Sequence, residues 1–331
     1  MLGYVLRRIL LLIPLLFAVS VIAFVIIQLP PGDYLTTYII NLQAAGTQVS
    51  EDEIQRLYRM FGLDRPLYVQ YFRWIWNIVR YGDFGVSFQW QRPVREVIGE
   101  RLLLTMVISL CTIIFSWVVG VAIGIYSAVR QYSIFDYVFT FLGFIGLSIP
   151  NFLLALILIF FGYKWFGWTV TGLFSAQYVD APWSLAKVAD MLRNLWVPVL
   201  IVGTAGTAGL VRVMRGCLLD ELRKQYVITA RAKGLSEVRL LFKYPVRSAI
   251  NPLVSTVGWL LPAIISGETI TAIVLNLPTT GPVLFRALMS QDMYLAGSFV
   301  LILSALAVTG TLVSDILLAW LDPRIRYERR L

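Results

Sequence analysis

The sequence predicts an all-α polytopic membrane protein with six transmembrane helices and both termini in the cytoplasm. Three observations lead to that fold class. Of 331 residues, 58% are hydrophobic and 14% charged, whereas a soluble globular chain carries about 25% charged residues. The charges are also grouped, leaving apolar runs of membrane length between them. Finally, Lys and Arg concentrate in alternate loops, as the positive-inside rule requires.

A span needs about 20 mostly apolar residues. No charge lies between Arg8 and Asp33, so Ile9–Leu29 forms the first span. Arg7, Arg8 and Ala18-Val19-Ser20 imitate a cleaved signal, but the apolar run continues to Leu29 and reads as an uncleaved anchor. The second span is Leu102–Ile125 and the third Tyr137–Phe161. The fourth, Leu195–Val211, is at the lower length limit. It carries Gly203, Gly206 and Gly209, a small-residue spacing that lets helices approach closely. The fifth span starts after Arg247 and runs past Glu268 to about Val274. The sixth covers about Ala296 to Trp320.

Orientation follows from the short loops. With the N-terminus inside, the cytoplasmic segments are Met1–Arg8, Tyr126–Asp136, Arg212–Arg247 and Asp322–Leu331. These carry 16 of the 28 Lys and Arg residues and six of the 19 acids. Pro30–Glu100 with Arg101 holds eight arginines, but long translocated segments obey the charge rule poorly. The domain plan is therefore residues 1–29 as the first span and 30–100 as a periplasmic segment with short helices. Residues 101–331 form a five-helix core with a cytoplasmic loop at about 212–250.

Within the periplasmic segment, Ser50-Glu51-Asp52-Glu53 reads as a capping box opening a helix that Gly62 ends. Pro66 sits in the first turn of a second helix reaching Arg80. That helix carries Tyr68, Tyr71, Phe72, Trp74 and Trp76. Aromatics of this kind favour the membrane–water interface, so the helix suits the outer leaflet; a docking surface for an external partner is a compatible alternative.

Several function classes drop out. The net charge of +9 does not imply nucleic acid, because the basic residues sit between membrane-length runs. There is no histidine, hence neither the commonest general base nor the commonest zinc ligand. Cys111 and Cys217 form neither a disulfide framework nor a metal site. No G-x-x-x-x-G-K-[ST], G-x-S-x-G or H-E-x-x-H motif occurs. The chain reads as a non-enzyme without its own ATPase site, cofactor or metal. Glu268 and Asp315 lie at or within spans, where an ionisable group costs roughly 2.5–3.5 kcal/mol on insertion scales. Either they line a pathway or latch helices together, or they are hydrated near span ends.

The densest charge lies in the loop between spans four and five. Arg231, Lys233, Arg239, Lys243 and Arg247 fall there, with Ala230, Ala232 and Gly234 between the first of them. Small residues let a short helix approach a partner surface. Gly234 can adopt a left-handed backbone that ends one helix and turns the chain. Arg231 and Lys233 supply charged contacts at the edge of such a dock.

Tyr226-Val-Ile-Thr-Ala-Arg-Ala-Lys-Gly-Leu-Ser236 resembles the ATPase-docking loop of ABC importer permeases, in the dipeptide/oligopeptide, binding-protein-dependent branch. Ala230 and Gly234 keep the family's spacing, with Ile228 and Thr229 in place of Glu-Ala. Tyr244 and Ser248 stand where many members have His and Asn. Gly62-Leu-Asp-Arg-Pro66, Gly82-Asp-Phe-Gly85-Val-Ser87 and Leu321-Asp-Pro-Arg-Ile-Arg-Tyr327 are similar to family signatures. So are the positions of Glu268, Pro278, Gly281, Asp292 and Asp315. Leu277-Pro-Thr-Thr-Gly281 departs from the usual Pro-Gly-x-Gly.

The resemblance implies a type I importer permease fold in a bacterial inner membrane. Thr229, Ala230, Arg231, Ala232, Lys233, Gly234, Leu235 and Ser236 would form the coupling loop. The implied partners are a second homologous permease subunit, two ATP-binding subunits that hold ATP and Mg, a periplasmic or lipid-anchored substrate-binding protein, and membrane lipid. Peptides are the first implied cargo, with oligosaccharides or nickel as alternatives on the same machinery. An ion-coupled secondary transporter is the competing class.

Overall fold

A computed structural model describes residues 2–28, 35–36, 39, 50–61, 63–168, 170–254 and 269–321. Gly62, Glu268, residues 255–268 of the fifth expected span and the closing segment 322–331 lie outside the described residues. Among the described residues the chain is helical, with one isolated antiparallel bridge between Val86 and Pro93. It divides into two compact units, Met1–Leu103 with Thr279–Leu306, and Leu104–Pro278 with Ala307–Leu331.

In the first unit, α1 spans Leu2–Gln28, α2 Glu51–Phe61 and α3 Leu67–Tyr81. Pro66 is the residue before α3, and its fixed φ near −54° prepares the first turn. Gly82, at φ +63°, ends α3 by a left-handed cap, its N–H donating back to the last turn. One face of α1 packs on α3. The Ser20 and Tyr71 hydroxyls are 2.8 Å apart, and the Phe24 ring meets Tyr71 edge-on and stacks on Trp74. Phe88, Val94, Val97, Ile98, Val283 and Phe299 complete this core.

A polar latch crosses the same core. Asp292 is fully buried. It accepts the Ser87 hydroxyl at 2.5 Å and the Gln89 N–H at 3.1 Å through Oδ2. Its Oδ1 accepts the Leu295 N–H at 3.2 Å. A short acidic side chain here caps the following helix while tying down the 85–90 loop.

In the second unit lie most of α4 (Val94–Val129), α5 (Ile134–Ser148), α6 (Asn151–Phe166), α7 (Leu185–Asn194) and α8 (Trp196–Leu222). Then come α9 (Gln225–Ala232), α10 (Glu237–Lys243), α11 (Pro245–Ala249) and α12 (Thr269–Val274). The first unit holds α13 (Thr280–Met289), and α14 (Met293–Leu321) passes from the first unit into the second.

Among the described residues, three helices, α4, α8 and the Met293–Val313 part of α14, are long and apolar enough to cross a membrane. The expected third span is two helices, α5 and α6, bent by 105°. Pro150 explains the break. It cannot donate to the turn before it, and it pushes Ile149 to an extended φ of −88° and ψ of 121°. The expected fourth span, Leu195–Val211, continues as helix through Arg212 and Arg215 to Leu222. Charge bounds the membrane-length stretch of a helix without ending the helix.

α8 is the packing centre of this unit. A Cβ on Gly203 would stand 2.7 Å from the Phe115 ring, and one on Gly206 3.4 Å from Ser116 Oγ. Ser116 Oγ donates to the Gly203 carbonyl at 3.1 Å. From the facing helices, Gly124 and Gly146 present backbone to Met214 and Thr204, where an added Cβ would stand 2.7 Å away. The small-residue expectation therefore holds at Gly203 and Gly206. Gly209 has nothing within 4 Å of its missing Cβ.

Candidate functional site: the loop from Tyr226 to Ser236

The expected coupling residues form one compact corner. Thr229 to Ala232 make the last turn of α9, Lys233 caps it, and Gly234 takes φ +79°. Gly234 N–H donates to the Arg231 carbonyl at 3.0 Å, and Leu235 N–H to the Ala230 carbonyl at 3.4 Å. These paired bonds make a Schellman ending, and the side chain after the glycine folds back on the helix. Leu235 accordingly packs against Val227, Ala230 and Leu240. Val227 and Leu240 are fully buried, each contributing about 1.5–3 kcal/mol to holding α9 against α10. Ala230 faces inward, so of the small residues only Ala232 and Gly234 are on the surface.

The charged residues divide. Arg231 donates through Nε and Nη2 to both oxygens of Glu237, at 2.6 and 3.0 Å. The pair is exposed on both sides, so it orients the corner more than it stabilises it. Glu237 holds the Arg231 guanidinium above its usual value, and Arg231 holds the Glu237 carboxyl below its own. Lys233 is exposed and, among the described residues, has no carboxylate partner. Thr229 turns its hydroxyl onto the Gln225 carbonyl at 2.9 Å. Ser236 opens α10, with Leu240 N–H donating to its carbonyl at 2.8 Å.

At its other side the corner is tied to α8. Tyr226 donates its hydroxyl to Glu221, which also accepts Lys224 Nζ at 2.6 Å. Burial first, and then this carboxylate, pushes the Tyr226 phenol up to about 12. Downstream, Val246 and Ala249 of α11 and Leu253 are buried with Met214 and Leu218 of α8. A push on α9 and α10 therefore meets a packed connection to α8 at both ends of the loop.

Sequence reasoning missed the apolar surface of this corner. Ile228, Val238 and Phe242 are each at least half exposed. Their signal was the helical phase that places Val227 and Leu240 inside. Also missed was the partnership of Arg231 with Glu237, six residues apart and meeting only because Gly234 reverses the chain. Asp315 belongs to α14, with its side chain outside the described part, and Glu268 is outside as well. The structure thus brings residues 229–236 together and leaves those two acids unplaced.

Comparisons with known proteins follow the same lines. The family described as "binding-protein-dependent transport system inner membrane component" matches residues 120–327, and the N-terminal model of the same kind of membrane component matches residues 1–110. The chain is 35% identical over 328 residues to the oligopeptide transport system permease protein AppB of Bacillus subtilis, covering 99% of this chain and all of the relative. It is 30% identical to the dipeptide transport system permease protein DppB of Alkalihalophilus pseudofirmus and 29% identical to DppB of Escherichia coli K12. Each alignment again covers 99% of this chain and all of the relative.

Proposed function

From the premise that this chain belongs to the binding-protein-dependent transport system inner membrane component family, we propose that it is one of two membrane subunits of an ATP-driven importer of di- and oligopeptides. The names of its full-length relatives support the peptide cargo. It pairs with a second, similar subunit, and the pathway runs between them. The six spans keep both termini in the cytoplasm of a bacterium, across its inner membrane. The chain has no ATPase site or cofactor of its own; two partner subunits bind ATP and Mg. An external binding protein delivers cargo to the 30–100 segment. Glu268 and Asp315 line the pathway or latch its helices.

One observation carries the coupling role. Residues 226–243 fold into a buttressed corner whose exposed apolar side chains, Ile228, Val238 and Phe242, flank the Gly234 turn. An ATPase subunit gripping that corner moves α8 through Tyr226 at one end and through Val246 and Ala249 at the other. Closure of the ATPase pair then turns the spans from inward- to outward-facing as a rigid-body change.

The test is purification from native membranes in mild detergent, with identification of the copurifying subunits and uptake of a labelled tripeptide in vesicles. The expected result is two ATP-binding subunits, a second permease and vanadate-sensitive uptake. Uptake that ignores vanadate and follows an ion gradient would replace this reading with a secondary transporter.

A further inference from the structure

The corner at residues 226–243 and the long helix α8 have separate apolar cores. Val227, Ala230 and Leu240 are buried together, with Leu235 against them. Met214 and Leu218 of α8 are buried in another cluster, with Val246, Ala249 and Leu253. α10 reaches that second cluster through the partly buried Leu241. Among the described residues, α9 contributes no side chain to it.

The polar link from α9 to α8 runs through one carboxylate. Glu221 lies in the last turn of α8, and its side chain is 13% exposed. Oε1 accepts Lys224 Nζ at 2.6 Å, and Oε2 accepts the hydroxyl of Tyr226, in the first turn of α9. A carboxylate so far from water needs donors on both oxygens, and both are taken. Tyr226 carries the link further. Its ring meets that of Tyr244, with 6.5 Å between centroids, at the junction of α10 and α11. The Ser248 hydroxyl, on α11, is close enough to Glu221 and Tyr226 to favour the charged form of each. Entry to the loop and exit from it thus converge on one side chain of α8.

The two kinds of contact respond differently to a push. Apolar packing is non-directional, so packed helices can slide past one another in small shears. A carboxylate held by donors at fixed positions resists such sliding, because its hydrogen bonds weaken steeply with distance and angle.

We propose that Glu221 is the positioning residue that makes the corner and α8 move as one body, so that a partner's stroke on the corner reaches the membrane helices. It acts through Tyr226 and, beyond it, Tyr244. Docking and transmission are then separable. The exposed side chains of the corner bind the partner, and Glu221 passes the movement on. This role rests on the importer reading and adds to it a class of variant that still docks and hydrolyses ATP but transports poorly.

The test uses the complex as it copurifies, in proteoliposomes loaded with ATP, with its external binding protein and labelled tripeptide outside. Tripeptide imported and phosphate released are measured together, and their ratio is the readout. Glu221→Ala should keep its partner subunits and hydrolyse ATP, while the tripeptide imported per ATP falls about fivefold or more. Glu221→Gln keeps an acceptor for Tyr226 and should retain most of the wild-type ratio. Tyr226→Phe keeps the ring and loses the hydroxyl, and its ratio should fall too. Asp220→Asn removes a charge from the neighbouring, exposed position of α8 and should change nothing. A residue that only stabilised the fold would lower hydrolysis and import together, or the amount of complex, and leave the ratio alone. An unchanged ratio in Glu221→Ala therefore overturns the proposal. Where that variant fails to assemble, an unchanged ratio in Tyr226→Phe overturns it. Import by the wild type without ATP hydrolysis would overturn the importer reading and this role with it. A coupled wild type beside equally coupled variants overturns this role alone.

Discussion

Arg215 grips Asp136 side-on, Nε to Oδ1 at 3.2 Å and Nη2 to Oδ2 at 3.1 Å, joining α8 to the start of α5. The aspartate side chain is 3% exposed and the arginine 29%. Asp136 also accepts the Tyr132 N–H at 2.9 Å, so it fixes the turn between α4 and α5 as well. Removing one partner strands the other charge in a site with little water. Asp136→Ala should therefore lower stability by about 2–4 kcal/mol, the arginine's partial exposure moderating the loss. Arg215→Lys should lose a large part of that too, because an ammonium cannot make the paired contact. Thermal midpoints of the purified protein and a double-mutant cycle check both; additive losses would show that the pair is not coupled.

The close approach of α4 and α8 gives a contrast between glycines on one helix. Gly203→Ala places a Cβ 2.7 Å from the Phe115 ring and should destabilise by about 1–3 kcal/mol through overpacking. Gly209→Ala meets nothing within 4 Å and should be neutral or stabilising by up to about 1 kcal/mol through helix propensity. The same thermal assay measures both. Equal behaviour of the two would refute the packing account.

Spacing alone could not have ranked those glycines, since Gly203, Gly206 and Gly209 look equivalent in sequence. What the sequence made legible was whatever local chemistry dictates. Pro66 opens α3, Gly234 turns the corner after α9, and charge-free stretches mark the long helices. The missed features depend on distant contacts. Asp136 finds Arg215 across 79 positions, and Asp292 finds Ser87 across 205. The bend at Pro150 was visible in principle, but an uninterrupted apolar run outweighed one proline in defining a span.

Asp292 is the next test of a long-range contact. Asp292→Ala removes a helix cap and leaves the Ser87 hydroxyl and Gln89 N–H without their acceptor. The expected loss is about 2–4 kcal/mol. Asp292→Asn should lose less, since asparagine caps helices well and keeps one acceptor oxygen. Ser87→Ala should fall between wild type and Asp292→Ala. An Asp292→Ala protein as stable as wild type would show that the latch does not hold the 85–90 loop.

Gly234 tests the proposed coupling role of the 226–236 corner without touching its surface charge. Its φ of +79° is open to glycine but costs other residues about 1–2 kcal/mol. Proline fixes φ near −65° and removes the N–H bonded to the Arg231 carbonyl. Uptake should therefore fall in the order wild type, Gly234→Ala, Gly234→Val, Gly234→Pro. The proline variant should be inactive although inserted in the membrane at normal levels. Quantitative immunoblotting of membranes beside tripeptide uptake separates the two effects. Full uptake by the proline variant would remove this corner from the transport cycle.

The pH dependence of the corner follows from Tyr226. Its phenol is pushed up to about 12, chiefly by burial and then by the hydrogen bond to Glu221. A group whose folded value lies above its unfolded one, here about 10, stabilises the folded state fully below the unfolded value. That contribution is lost as pH rises through the folded value. The corner should thus keep its contact with α8 up to about pH 10 and lose this part of its stability between about 10 and 12. Glu221→Gln removes the charge but not the burial, so the phenol should titrate lower than in wild type and still above the ordinary range. Difference absorbance of the phenolate, with Tyr226→Phe as the blank, resolves this one ring among the protein's 16 tyrosines. Identical titration curves for wild type and Glu221→Gln would show that the carboxylate does not act on Tyr226 in solution.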